Sequence, residues 1–189
     1  MRTLMIASAI AAFSIPAVQA AQISITTSSD TVVGSLTPLI VDVVVDRDGG
    51  AAIASAFVDV IYDASLLALQ DVSLTSALGE IPIDALDTSF PPEMFGSEGI
   101  VNIGIESLLA DLSAQAESFS LATLTFNAID NGFSVIELGL EPSLDDIDFF
   151  PIADVISLVN SGDIQSIPAP ATALLFAPFA AMMLRRRRS

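Results

Sequence analysis

Hydrophobic and polar residues alternate along much of the chain with a period of two. In Leu39–Asp46, LIVDVVVD, the residues Val41, Val43 and Val45 share one face while Asp42 and Asp46 share the other. In Ala56–Tyr62 the set Ala56, Val58, Val60 and Tyr62 opposes Phe57, Asp59 and Ile61. Ile100–Glu106 sets Val101, Ile103 and Ile105 against Asn102, Gly104 and Glu106. Leu121–Ala128 sets Ala122, Leu124, Phe126 and Ala128 against Thr123 and Thr125. The runs Phe133–Leu140 and Val155–Val159 repeat the theme. Such alternation predicts strands with one buried face. Helical periodicity is confined to a turn at Ser65–Leu69 and a weak stretch at Ser107–Ala116.

Turn residues punctuate the strands at Asp48-Gly49-Gly50, Asn131-Gly132 and Asn160-Ser161-Gly162. Asp130-Asn131-Gly132, between two alternating runs, predicts a hairpin. Thr75–Gly99 breaks the rhythm with three prolines and three glycines. A connection of that length is either functional or a loop folded over a sandwich edge, with Met94-Phe95 as an exposed apolar tip. Several short strands separated by turns predict an all-β, antiparallel sandwich spanning residues 21–165.

The two ends follow different rules. Residues 1–20 have a positive start at Arg2, an apolar stretch from Leu4 to Ile15 and small residues before a cleavage point between Ala20 and Ala21. This is the layout of a secretory signal. At the other end, residues 166–189 carry an uncharged run from Ala169 to Leu184, followed by Arg185, Arg186, Arg187 and Arg188. As a helix those residues would cover about 24 Å, less than the ~30 Å hydrocarbon core, and Pro178 weakens the segment further. The arginines act as a stop that keeps the terminus on the cytoplasmic side. The expectation is a short membrane-docking segment; an uncleaved single-span anchor is the alternative.

Charge narrows the function classes. Residues 21–165 hold all 23 carboxylates and one cation, Arg47, for a formal charge of −22. Such a body repels phosphate backbones, which excludes nucleic acid as a partner. The chain has no His, Cys or Lys, so the usual general base, thiol nucleophile and Schiff-base amine are missing. Disulfides, Ser–His–Asp chemistry and His- or Cys-based zinc sites are excluded with them. A carboxylate pair remains as the only acid–base device, but the chain lacks tryptophan and has one tyrosine, a poor supply of sugar platforms. The reading is a non-enzyme without a required cofactor. Calcium is the one metal considered, at Asp46 and Asp48 in the Asp46-Arg47-Asp48-Gly49-Gly50 turn and at Asp145, Asp146 and Asp148 in a second acidic loop.

Two resemblances add to this. Ile167-Pro168-Ala169-Pro170-Ala171, then the apolar run, then the arginine cluster, resembles the PEP-CTERM class of bacterial sorting tails, with a motif close to Val-Pro-Leu-Pro-Ala. That resemblance implies processing near the motif by an exosortase, an integral-membrane enzyme. The protein would pass through the inner membrane of a Gram-negative bacterium to the envelope or an extracellular matrix. Phe57–Leu69, FVDVIYDASLLAL, and Leu121–Phe126, LATLTF, in this order and followed by Asn160-Ser161-Gly162-Asp163-Ile164, are similar to the cohesin family. Tyr62 and Asp63 match the family's Tyr-Asp step, with Ala64 in place of its proline. The resemblance implies a nine-stranded jelly roll that works as a binding module, on a fold shared with carbohydrate-binding modules.

The expected function is therefore an exported surface or matrix scaffold module that binds a protein or polysaccharide. A carbohydrate-binding protein and a permanently anchored structural protein are the alternatives. The intact mass of the protein from native envelope and medium fractions tests the two ends. A species running from near Ala21 to between Ile167 and Ala171 is expected. One that keeps Arg185 to Arg188 in the membrane would leave a single-span anchor instead.

Overall fold

The computed structural model describes residues 21–34, 36–139, 142–148, 150–152, 156–158 and 164–167. Its first eight strands are β1 (Gln22–Thr27), β2 (Thr31–Val33), β3 (Leu39–Asp46), β4 (Ser55–Asp63), β5 (Leu67–Leu74), β6 (Ala85–Asp87), β7 (Glu93–Phe95) and β8 (Glu98–Ser107). They are followed by β9 (Ser118–Ala128), β10 (Gly132–Ser134), β11 (Glu137–Leu138), β12 (Ser143–Asp145), β13 (Ile156–Leu158) and β14 (Ile164–Ile167). One main sheet has the order β13-β1-β3-β9-β5, and the other has the order β11-β4-β8-β6 with β12 beside β4 and β7 beside β8. A small third sheet runs β10-β14-β2. Antiparallel pairs build both main sheets; β1–β13 and β2–β14 are parallel.

The period-two faces meet between the main sheets. Val41, Val43 and Val45 of β3 and Leu124 and Phe126 of β9 are fully buried. Against them lie Ala56, Val58 and Val60 of β4 and Val101, Ile103 and Ile105 of β8, at most 2% exposed. Each large aliphatic side chain closed off in this way contributes about 1.5–3 kcal/mol relative to exposure. With no disulfide to constrain the unfolded chain, this packing holds the fold.

Tyr62 closes one end of the core. Its ring tilts against Phe126 with centroids 4.9 Å apart. It also lies across Gly99, its register partner on β8, where an added Cβ would overlap the ring. The tyrosine therefore depends on a glycine in the neighbouring strand, and its hydroxyl is left with the Met94 sulfur at 3.9 Å.

Arg47 is 8% exposed and is held through Nε and Nη2. Its Nε donates to the Ala116 carbonyl at 3.1 Å and its Nη2 to the Gln115 carbonyl at 3.0 Å and to Glu117 Oε1 at 3.2 Å. Glu117 Oε2 accepts the Gly49 N–H at 2.9 Å. The one cation of the body thus fastens the segment before β9 to the corner after β3.

The structure corrects several expectations. Asp130-Asn131-Gly132 does not close a hairpin, because β9 pairs with β3 and β5 whereas β10 pairs with β14. The turn carries the chain from one sheet to another, and Asp48-Gly49-Gly50 does the same between β3 and β4. Of the proposed helical turn at Ser65–Leu69, Leu67 onward is β5. Ser107–Ala116 holds no helix: Gln115 pins it instead, accepting from Ile53 N–H at 2.8 Å and donating to Ile53 O at 2.9 Å. Phe133–Leu140 divides into β10 and β11, which belong to different sheets. Thr75–Gly99 folds along the free side of β8, supplying β6 and β7. Asn160-Ser161-Gly162 lies outside the described residues.

Burial holds the Tyr62 hydroxyl above its ordinary pKa. The unfolded chain releases that proton first, so stability is retained up to about pH 10 and falls as pH rises further. The body has one Tyr and no His, Cys or Lys, so Tyr62 is the group to follow over that range. Melts across this range are expected to show the loss in the wild type and not in Tyr62→Phe; identical profiles would contradict it. Gly99→Ala is expected to lower stability by about 1–3 kcal/mol in a denaturant titration, since the ring has to move aside.

Candidate functional site

The two main sheets present unlike outer faces. On the first, β1 contributes Ser24 and Thr26, β3 Asp42, and β9 Ser120, Thr123 and Thr125. Thr123 Oγ1 donates to Asp42 Oδ1 at 2.6 Å, so this surface is polar and internally bonded. Ile40, 41% exposed, interrupts it.

The outer face of the second sheet is apolar and acidic. Register places Ser55 beside Glu106, Phe57 beside Gly104, Asp59 beside Asn102, Ile61 beside Ile100 and Asp63 beside Glu98. Glu137 of β11 and Glu93 of β7 extend the Ile61–Ile100 row to either side. The result is two apolar rows, Phe57 and Ile61–Ile100, separated by the Asp59–Asn102 pair and bordered by carboxylates. Asn102 Nδ2 donates to Asp59 Oδ1 at 2.6 Å, which fixes the pair in the plane of the sheet.

Beyond β6 the chain stays close to β8. Thr88 N–H donates to Gly104 O at 2.9 Å, and Gly104 N–H donates to Ser89 Oγ at 3.0 Å. A Cβ on Gly104 would meet Thr88 Oγ1 at 2.6 Å, so the glycine is what lets this segment lie flat. Thr88 Oγ1 is buried and makes no hydrogen bond among the described residues. Phe57, Asp59, Thr88, Phe90, Asn102 and Gly104 border a cavity of about 190 Å³, with Phe90 68% exposed at its rim. A second hollow of about 230 Å³ gathers Tyr62, Asp63, Glu98 and Glu137 at the end of the same sheet. The face therefore offers one mainly apolar recess, beside Phe57 and Phe90, and a second with acidic walls.

The calcium candidates are engaged locally. Asp46 Oδ1 accepts the Asp48 N–H at 2.9 Å, and Asp146 Oδ1 accepts the N–H groups of Asp148 at 2.9 Å and Phe150 at 3.0 Å. Asp145 Oδ2 accepts the Ser55 hydroxyl at 2.7 Å. These contacts shape turns, and among the described residues no three acids are grouped to hold a metal ion. Ala21 packs into the core just before β1, and Ile167 ends β14. Ala20, Pro168, Ala169, Pro170, Ala171 and Arg185 to Arg188 lie outside the described residues. Among those described, no helix is long and apolar enough to cross a membrane.

Sequence reading noted Phe57, Asp59 and Ile61 as a strand's second face without giving them a role. The signal was present: two of three residues on a supposedly polar face are large and apolar. Phe90 carried no pattern of its own, because its place follows from the pairing of Thr88 with Gly104.

No family model and no curated protein matches the chain. Solved structures do match. The second type II cohesin module of the cellulosomal adaptor scaffoldin ScaA of Acetivibrio cellulolyticus aligns with a TM-score of 0.61 at 16% identity, covering 80% of this chain and 99% of that one. The sixth cohesin of scaffoldin B from the same organism, in complex with a Cel5 dockerin, aligns at 0.51 and 17% identity, covering 74% and 95%. The OlpC cohesin of a type I cohesin–dockerin complex from Clostridium thermocellum aligns at 0.53 and 13%, covering 79% and 94%. At these identities the likeness is one of fold: the chain is an antiparallel jelly-roll sandwich of the cohesin type.

Proposed function

We propose that this protein is an exported, non-catalytic scaffold module that docks a protein partner on the outer face of the β4–β8 sheet. The observation that carries the reading is the combination of Phe57, Ile61 and Ile100 with the surrounding Asp59, Asp63, Glu98 and Glu106 on one sheet face. Apolar anchors supply most of the affinity of such a surface, and the acidic border selects the partner and speeds encounter. The fitting partner presents an apolar ridge flanked by Lys or Arg. Two of the cohesin neighbours were solved in complexes with dockerins, which supports a protein as the ligand. The shortage of aromatic platforms argues against a glycan. Delivery is through the amino-terminal signal and the carboxy-terminal tail, processed by an exosortase in the inner membrane of a Gram-negative bacterium. The working body then belongs to the envelope or extracellular matrix.

The test immobilises the protein and compares what wild type and Phe57→Asp retain from the native secreted and envelope fractions. Thr125→Asp, on the opposite sheet, is the control. A retained protein should bind Phe57→Asp ~30-fold or more weakly, the equivalent of losing an anchor of about 2 kcal/mol, and should bind the control normally. Its affinity should also fall as salt rises. Equal binding to both variants, or affinity for soluble glycans in place of a protein, would overturn the reading.

A further inference from the structure

The third sheet has a face that the docking surface does not use. In β10-β14-β2, Val32, Ser134, Ile164 and Ser166 point inward and are buried. Ser166 Oγ donates to the carbonyls of Asp130 at 2.6 Å and Leu66 at 3.0 Å, which ties the sheet to the body. The outer side carries one row of Phe133, Gln165 and Thr31 and a second of Ile167 and Val33. Phe133 is 70% exposed, and Leu36, in the turn that follows β2, is 66% exposed. None of these six residues is charged, in a body where acidic groups dominate the surface. Asp30 and Asp130 stand at the margins.

This is also the face from which the chain departs. Ile167 is paired with Val33, and its carbonyl accepts the Gly34 N–H at 2.9 Å. The next residue is Pro168, and the uncharged run from Ala169 to Leu184 follows it before Arg185. Even if Pro168 to Ala171 were fully extended, they would give a reach of only about 14 Å. With those four residues as a linker, Thr172 to Leu184 would cover only about 20 Å as a helix, ~10 Å less than a typical hydrocarbon core. A segment this short is accommodated by thinning of the bilayer around it or by flanking residues that reach the interface, and either leaves the flanking structure close to lipid.

We propose that, while the tail is in the membrane, the outer face of the β10-β14-β2 sheet lies against the bilayer, with Phe133, Leu36, Val33 and Ile167 in the interfacial layer. The idea rests on the reading of the tail as a membrane segment and is independent of the partner on the β4–β8 face. The occupant is lipid because the face is uncharged, apolar and fixed beside a membrane-directed segment with almost no slack. Held in this way, the β4–β8 face stays free for its ligand.

The chain has no tryptophan, so one introduced residue reports its own surroundings. Phe133→Trp and, separately, Phe57→Trp are made in the full chain and reconstituted in phosphatidylcholine vesicles, with and without brominated acyl chains. Both sites are exposed, and melts confirm folding. The expected result is flotation of both variants with vesicles, a blue shift and loss of most emission for Phe133→Trp on bromination, and no quenching for Phe57→Trp. Flotation without quenching of Phe133→Trp would overturn the apposition, including the case of a blue shift caused by the tail folding over the face. Quenching of both variants would mean that the body lies on lipid without preference, which also overturns it. Failure of either variant to float would remove the tail reading and the proposal with it.

Discussion

Everything in this molecule depends on two alternating apolar faces closing on each other against the repulsion of their own surface. Twenty-three carboxylates and one arginine occupy the body, and that arginine is buried in a corner. No disulfide relieves the packing of its task. Burial of the β3, β4, β8 and β9 side chains must therefore outweigh chain entropy and like-charge repulsion together. This explains why the core is so regular: fully buried valines, isoleucines and leucines fill it, with one tyrosine accommodated by one glycine.

The same constraint separates structure from function on the surface. On the outer face of the β1–β3–β9–β5 sheet, polar side chains bond to their neighbours, as between Thr123 and Asp42. Where Phe57, Ile61 and Ile100 face outward, the protein accepts the cost of exposed apolar area. On the proposed reading, the carboxylates around them favour a partner that carries Lys or Arg. The outer side of the small sheet is uncharged, and the proposed bilayer contact relates this to the uncharged segment that begins after Ile167.

Much of the fold was legible because period-two alternation is a direct imprint of a half-buried strand. The boundaries of β3 and the inward sets of β4, β8 and β9 follow from it residue by residue. The pairing of strands was less accessible. Asp130-Asn131-Gly132 carries the chemistry of a tight turn, but turn chemistry does not say which sheet the next strand joins, and Ile129 N–H continues the β9–β5 ladder to Leu66 O. β5 was hidden because a bulge at Gln70 disturbs its alternation. The docking face was half legible: its apolar rows are written in β4 and β8, whereas the Phe90 cavity depends on a long-range fit at Gly104. In the acidic turns the sequence does not distinguish aspartates that cap backbone N–H groups, as Asp46 and Asp146 do, from aspartates that hold a cation.

Hydrogen exchange of the full chain with and without its retained partner tests the central claim most directly. Binding should slow exchange in β4, β8 and Thr88–Phe90, and leave β1, β3 and β5 unchanged. Protection centred on the β1–β3–β9–β5 sheet, with none at β4 and β8, would contradict the account.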